Sequence, residues 1–578
     1  MTPLLAAICC FAIYFVGYQV YARYLAVRIF RLSADRETPA HTLEDGVDYV
    51  PTNRFVLFGH HYASITGLAP MLGPAVAVIW GWLPAMLWVV FGAILIGCVH
   101  DFGALVVSVR ARGQSIGKVA EGVIGPRAKF LFLALIFFGI SLAMGVFVFI
   151  IAILFQAGPD FDPNDLSASK SSFPSAVLPS AAIMIIAMVM GWLLYRRSFP
   201  LARTTAVGFV AMLVFVWLGT VFPTLGLSVE SWPDRGTWTW ILLGYALLAS
   251  ILPVWSLLQA RDFLNSLLLY LGLSATYLGF FLLQPEFAAP RFDPSPPGAP
   301  PIFPFVFIVI ACGAASGFHG LVSSGTTAKQ LGRETDARFI AYGGMVGESL
   351  LGLLAVLACT AGVSGSDVWH QTYHDWNSIA GEGTLAVKLG AFIRGCALFL
   401  SSLGLDPNLA AGFIAVIVVS FALTTLDSAT RLLRFNIAEL AGSLGLGVLG
   451  GRFVASALAV AAIGFFAFYK IDGQSAGLAL WTLFGITNQL LAGLTLLTVS
   501  LYLKQRGRTF WFTALPAVFM LTSTAVAMVR KLQGFFRAEQ TLLLVVGGAL
   551  AAIGVWIVVE SLLAARRPER TEDDLIAT

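Results

Sequence analysis

His60 and His61 stand together in the segment NRFVLFGHHYASITGLAPMLGP, residues 53–74, beside Ser64 and Thr66 and among the chain breakers Gly59, Gly67, Pro70, Gly73 and Pro74. Imidazoles take up and release protons near neutral pH. Glycine and proline interrupt a regular helix. A helix broken at membrane depth offers free amides and half-helix ends to an anionic group or an ion. An interfacial elbow with a kinked packing helix also accounts for the breakers. The density of breakers and polar groups together favours a substrate site.

Three further groupings carry ionisable or hydroxyl side chains in apolar runs, where an ionisable residue costs at least about 2.5–3.5 kcal/mol. In GCVHDFGALVVSVR, Asp101 is either a proton carrier or the partner of a distant cation, and His100 is either functional or a satisfied core histidine. Neighbours in a helix point about 100° apart, so these two are not expected to form a pair on their own. In ACGAASGFHGLVSSGTTAKQ, residues 311–330, four glycines alternate with Ser316, Ser323, Ser324, Thr326 and Thr327 around His319. Close helix packing explains the glycines. The hydroxyls and the histidine point to a substrate or cation site. Gly344, Glu348 and Gly352 share one helix face at i, i+4 and i+8, which makes Glu348 a candidate proton carrier. Asp427 and Arg431 are also i, i+4, which reads as a structural salt bridge. Thr487, Asn488 and Gln489 read as interhelical hydrogen-bonding groups.

Neither a phosphate-binding G-x-x-x-x-G-K-[ST] loop nor the H-E-x-x-H and G-x-S-x-G motifs of hydrolases occurs. No cofactor is expected beyond a coupling proton or sodium ion. A metal-dependent intramembrane enzyme would need His60, His61, His100 and His319 to converge; a nutrient sensor is the other alternative.

The elements that position these groups are membrane helices. Of 578 residues, 58% are hydrophobic and 11% charged, against about a quarter charged in soluble chains; mean hydropathy is +0.84. The net charge of +4 is dispersed and does not suggest nucleic-acid binding. The six cysteines lie in or beside apolar runs without C-x-x-C spacing and read as small hydrophobes. About fifteen apolar runs are long enough to span, centred near Phe15, Val76, Ile94, Ile140, Ala187, Leu213, Leu247, Leu273, Ile310, Leu354, Ile417, Ala461, Gly493, Met520 and Gly554. The segment 385–405, with Lys388 and Arg394, is ambiguous between a further span and a tilted, re-entrant or interfacial helix. The first run lacks a basic n-region and reads as a span rather than a cleavable signal. Loops rich in Lys and Arg alternate with acidic or proline-rich ones. By the positive-inside rule this places the N-terminus outside and the C-terminus in the cytoplasm. The loop with Arg530, Lys531 and Arg537 disagrees. The expected organisation is one transmembrane domain over residues 1–565, with a motif-bearing core at 45–500 and a polar cytoplasmic tail at 566–578. The oligomeric state is not legible.

Taken in order, GVDYVPTNRFVLFGHHYASITGLAPMLGP, VHDF, ILPVWSLLQARDFLNS, ACGAASGFHGLVSSGTTAKQL, YGGMVGES, LDSATRLLRF and LWTLFGITNQLLAG resemble the motif series of the carbon starvation protein A family. The chain departs from that series at His100, where Gln is expected, and at Ala328, where Pro is expected. The resemblance implies a bacterial inner-membrane importer of peptides or pyruvate-like carboxylates, with a coupling proton, serving nutrient scavenging under carbon limitation. It also implies an all-α bundle with leucine-transporter-like inverted repeats. Under that mapping the lead helices break at Gly67–Pro70 and at Pro253. The substrate would be held by Gly59, His60, His61, Ser64, Gly67, Pro70, Gly73 and His319, with Pro253 and Trp255 on the opposite wall. Asp101 or Glu348 would carry the proton, while Ser323, Ser324, Thr326 and Thr327 would steady the broken helices or bind sodium.

Overall fold

A computed structural model describes residues 1–566 apart from 160, 198, 254–256, 377–383 and 472–473. Trp255 and the tail from 567 onward therefore lie outside the described residues. Helix starts follow local chemistry. Thr2 precedes Pro3 and accepts from the Leu5 amide. Asn53 accepts from Phe55, and Asp406, before Pro407, accepts from Asn408 and Leu409. Each side chain satisfies an amide that the helix itself leaves free.

Eleven helices are long and apolar enough to cross a bilayer, or twelve when the bent pair Arg54–Ile65 and Ala69–Trp80 is taken as one span. The expectation of about fifteen spans is not met as a count of full crossings. Every apolar run does form helix, but four fall short. The runs at Leu247 and Ala461 form helices of 17 residues each, about 25 Å at 1.5 Å per residue, against a core of about 30 Å. The runs at Val76 and Ile310 are interrupted. Segment 385–405 contributes the helix Thr384–Ser401, whose charges are satisfied internally: Lys388 Nζ donates to the Thr372 carbonyl at 2.5 Å, and Arg394 donates to the Ser169 carbonyl at 2.9 Å.

Burial sorts the spans. Pro126–Phe155 and Pro407–Ser443 are each 89% buried over their apolar windows, whereas the N-terminal span and Thr541–Ala564 are each 28% buried. The first two form the centre of the bundle, and the last two lie at its periphery with most of their apolar surface uncovered. The interrupted helices cross in this centre. Arg54–Ile65 and Ala69–Trp80 are bent by 46°. The other is split into Ile302–Val309 and Gly317–Gly325. Gly313 lies in this second break with φ +91°, and a methyl built on it would sit 3.3 Å from Pro70 Cα. Its lack of a side chain permits both the left-handed backbone and the close crossing.

Candidate functional site

Three elements deliver one buried acid–base chain. Asp101 comes from the span Trp82–Arg110, His319 from the first turn of Gly317–Gly325, and Glu348 from Gly343–Ala361. His319 Nδ1 is 3.0 Å from Asp101 Oδ2, and His319 Nε2 is 3.1 Å from Glu348 Oε2. The second approach is an ion-pair distance without hydrogen-bond alignment, so neither Glu348 oxygen has a hydrogen-bond partner. His100 Nδ1 meets the other Asp101 oxygen at 2.8 Å. The expectation that these sequence neighbours would not pair alone is refined: they do touch, because Asp101 also binds His319 and is shared by both rings. All four side chains are fully buried. One imidazole between two carboxylates offers a route for a proton and a cation to balance either acid.

The face predicted from Gly344, Glu348 and Gly352 packs on the interrupted helices. Gly344 lies against His61, Glu348 against His319, and Gly352 against Pro70 and Gly313. His61 Nδ1 pairs with Thr327 Oγ1 at 2.9 Å.

A second buried cluster is the one sequence reasoning missed. His60 Nδ1 is 2.7 Å from Asp262 Oδ2, which also accepts from Ser64 Oγ at 3.3 Å. The adjacent Arg261 binds Asp427 and Tyr245, and donates to Thr424 Oγ1 at 2.6 Å. Tyr245 donates to Asp427 at 2.5 Å. The expected Asp427–Arg431 salt bridge does not form; Arg431 donates to the carbonyls of Ala249 and Leu252. The signal was present in LLQARDFLNS, where two opposite charges interrupt an apolar run.

The hydroxyl group at 323–327 does not act as one unit. Ser324 and Thr326 donate back to the Gly320 and Val322 carbonyls, Thr327 turns to His61, and Ser323 Oγ is buried without a partner. The four histidines likewise divide between Asp262, Thr327 and Asp101. Among the described residues no group of three or more His, Cys, Asp or Glu has metal-holding geometry. Gly59 packs on Ser266, and Gly73 on the Val309 carbonyl. Pro253 sits between the helices Arg235–Ile251 and Leu258–Leu283, and is not among the described residues lining the cavities that follow. Asn488 bridges to Ser316 and the Phe318 amide, and Gln489 to Ser523, as interhelical hydrogen bonding predicts.

Three cavities share walls through the centre. The first, ≈ 380 Å³, opens beside Lys118, Lys129 and Lys329 at the basic-loop face. It shares Ile140 and Leu321 with a second, ≈ 30 Å³, at the break by Gly67, Ala69 and Thr425. That one shares Ala69, Cys312, Phe484 and Asn488 with a third, ≈ 50 Å³, which reaches Pro300, Trp376 and Lys531 at the opposite face. The out-of-pattern Lys531 thus lines this third cavity, with its Nζ 5.7 Å from the Phe305 ring. Thr425 Oγ1 and Thr66 Oγ1 at the break are buried without partners, each an unmet demand worth about 1–3 kcal/mol. The half-helix Gly317–Gly325 divides the two systems. Phe318, Leu321 and Ser324 line cavities, while His319 reaches the buried acids.

Comparison with known proteins places these features. Residues 2–527 match the family described as Carbon starvation protein CstA. A peptide transporter CstA of Helicobacter pylori is 33% identical, over 90% of this chain and 80% of its own. The pyruvate/proton symporter BtsT of Escherichia coli is 31% identical, over 91% and 82%. A peptide transporter CstA of Bacillus subtilis is 30% identical, over 96% and 94%. The solved structure of MhsT in complex with L-phenylalanine aligns over 89% of this chain and 99% of its own, at 11% identity and a TM-score of 0.40.

Proposed function

We propose that this chain, which belongs to the carbon starvation protein CstA family, imports small carboxylates or short peptides in symport with a proton. Relatives named for peptide transport and for pyruvate/proton symport support this reading. The observation that carries it is the half-helix Gly317–Gly325, with one face on the cavities and His319 set between Asp101 and Glu348. Substrate enters from the Lys531 side and pairs its carboxylate with free amides at the break and the unpartnered hydroxyl of Thr425, which lines the cavity there. A proton arriving at Glu348 or Asp101 removes one of the two negative charges that hold His319. The half-helix then shifts against Asn488, and the path opens toward the basic face. His60, His61 and Ser64 position the leading half-helix through Asp262 and Thr327.

A proton is favoured over sodium because the buried groups that converge are titratable, with His319 between Asp101 and Glu348, and because one relative is named a pyruvate/proton symporter. The two crossing breaks support an inverted-repeat architecture. The second break is then at 310–316 rather than at Pro253. The alternation of basic loops supports a multi-pass inner-membrane protein with its N-terminus outside and C-terminus cytoplasmic.

Uptake of labelled pyruvate and of a labelled dipeptide into proteoliposomes, with pH and sodium gradients imposed separately, tests this reading. Accumulation is expected under an inward proton gradient alone. Glu348→Gln should abolish accumulation and retain substrate exchange; unchanged accumulation removes Glu348 from coupling. Accumulation that follows only sodium overturns the proton.

A further inference from the structure

A further cavity of ≈ 250 Å³, which shares the Phe435 wall with the cavity at the basic-loop face, lies where the helix Pro407–Ser443 meets the start of Arg452–Phe468. Arg431, Arg434 and Arg452 line it, against Asp48 as the acid among its described lining residues. Arg434 is 7% exposed. It lies 4.4 Å over the Phe435 ring and has no carboxylate or carbonyl partner among the described residues. Arg431, 1% exposed, spends Nη2 on the Ala249 and Leu252 carbonyls, and its buried Nε is left without a partner. Desolvated guanidinium groups with spare donors call for a multidentate oxyanion.

The helix that begins at Arg452 adds to the same demand. It has 17 residues, and its N-cap, Gly451, has no side chain to satisfy the first amides. Gly450 and Arg452 both border the cavity, so the positive end of this helix is presented at the opening. Two independent features, the helix end and a nine-tenths-buried guanidinium without an oxygen partner among the described residues, therefore ask for one anion of the phosphate class.

The surroundings identify its source. Leu444, Leu446, Val448 and Phe453, all within six positions of the cavity-lining Gly450, are 56%, 49%, 85% and 68% exposed and give this loop an apolar collar. Free phosphate has no use for such a collar. A phospholipid does: its acyl chains lie against the collar while the headgroup sits in the basic pocket. We propose that this pocket binds the phosphate of an anionic phospholipid at the basic-loop face of the membrane. Its occupancy neutralises the excess of arginine and braces Arg431, which holds the end of Arg235–Ile251.

The purified full-length protein in detergent, titrated with palmitoyl-oleoyl phosphatidylglycerol and with the matched phosphatidylcholine, tests the site by native mass spectrometry. Saturable phosphatidylglycerol binding is expected. The paired change Arg434→Gln with Arg452→Gln should weaken it roughly 25-fold, about fivefold per charge, without altering phosphatidylcholine binding. Asp48→Asn should tighten it about fivefold, a gain that misfolding cannot mimic. Millimolar inorganic phosphate should leave the lipid bound. Equal phosphatidylglycerol affinity in the paired variant, or no tightening in Asp48→Asn, overturns the site. Displacement by inorganic phosphate overturns the lipid assignment.

Discussion

Asp427 takes its cation from Arg261, 166 positions away in the chain, while Arg431, one turn along the same helix, turns from it to the carbonyls of Ala249 and Leu252. The two cations thereby do different work. Arg261 joins Leu258–Leu283 to Pro407–Ser443, and Arg431 secures the end of Arg235–Ile251. Both carboxylate and guanidinium are 1% exposed, so each depends on the other for solvation.

The first prediction concerns that pair. Arg261→Met leaves Asp427 buried without its cation and should destabilise the protein by about 3–5 kcal/mol. The drop is read as thermal midpoint in detergent. Adding Asp427→Leu should recover most of it, because two matched apolar groups replace two charges.

His319→Asn removes the cation between Asp101 and Glu348, so the thermal midpoint should fall and proton-driven uptake should be lost. Adding Glu348→Gln to that variant should restore the midpoint without restoring uptake. Recovery of both would assign the histidine to folding alone.

At the smallest of the three cavities, a methyl on Gly67 would sit 2.8 Å from Thr425 Oγ1 and 3.1 Å from the Phe147 ring. These neighbours are side chains, which give way, so Gly67→Ala should fold. It should nonetheless fill the ≈ 30 Å³ cavity and lower the initial uptake rate at least roughly tenfold. Thr425→Ala in the same chain should recover part of the loss by returning space.

Lys531 brings a positive charge to the wall of the third cavity. Lys531→Gln should raise KM for pyruvate roughly tenfold at low salt with little change in kcat, since it removes attraction on entry. The difference should shrink as ionic strength rises from about 0.01 to 0.15 M, where screening shortens from about 30 to 8 Å.

The helices were legible because apolar runs of this length have no other stable form in lipid. The number of crossings was not, because composition does not report whether a run is continuous; Ile302–Val309 and Gly317–Gly325 read as one span. His319, Asp101 and Glu348 were visible singly as costly residues, but their convergence depends on the crossing of three helices. Arg261 and Asp262 are hard to read from sequence because adjacent opposite charges cancel in any local average. The Asp427–Arg431 pairing followed helix spacing and failed because a neighbour on the same face competes with partners from other helices. Pro253 drew attention as a breaker, yet the break that meets Pro70 holds Gly313.

The rooms along the path are unequal: ≈ 380 Å³ beside the basic loops, then a neck of ≈ 30 Å³. A compound that fits the larger room and is too bulky for the neck becomes a stopper that works from one compartment only. Inside-out vesicles would be blocked at once, whereas intact cells would respond only to forms of the compound able to reach the cytosol by another route.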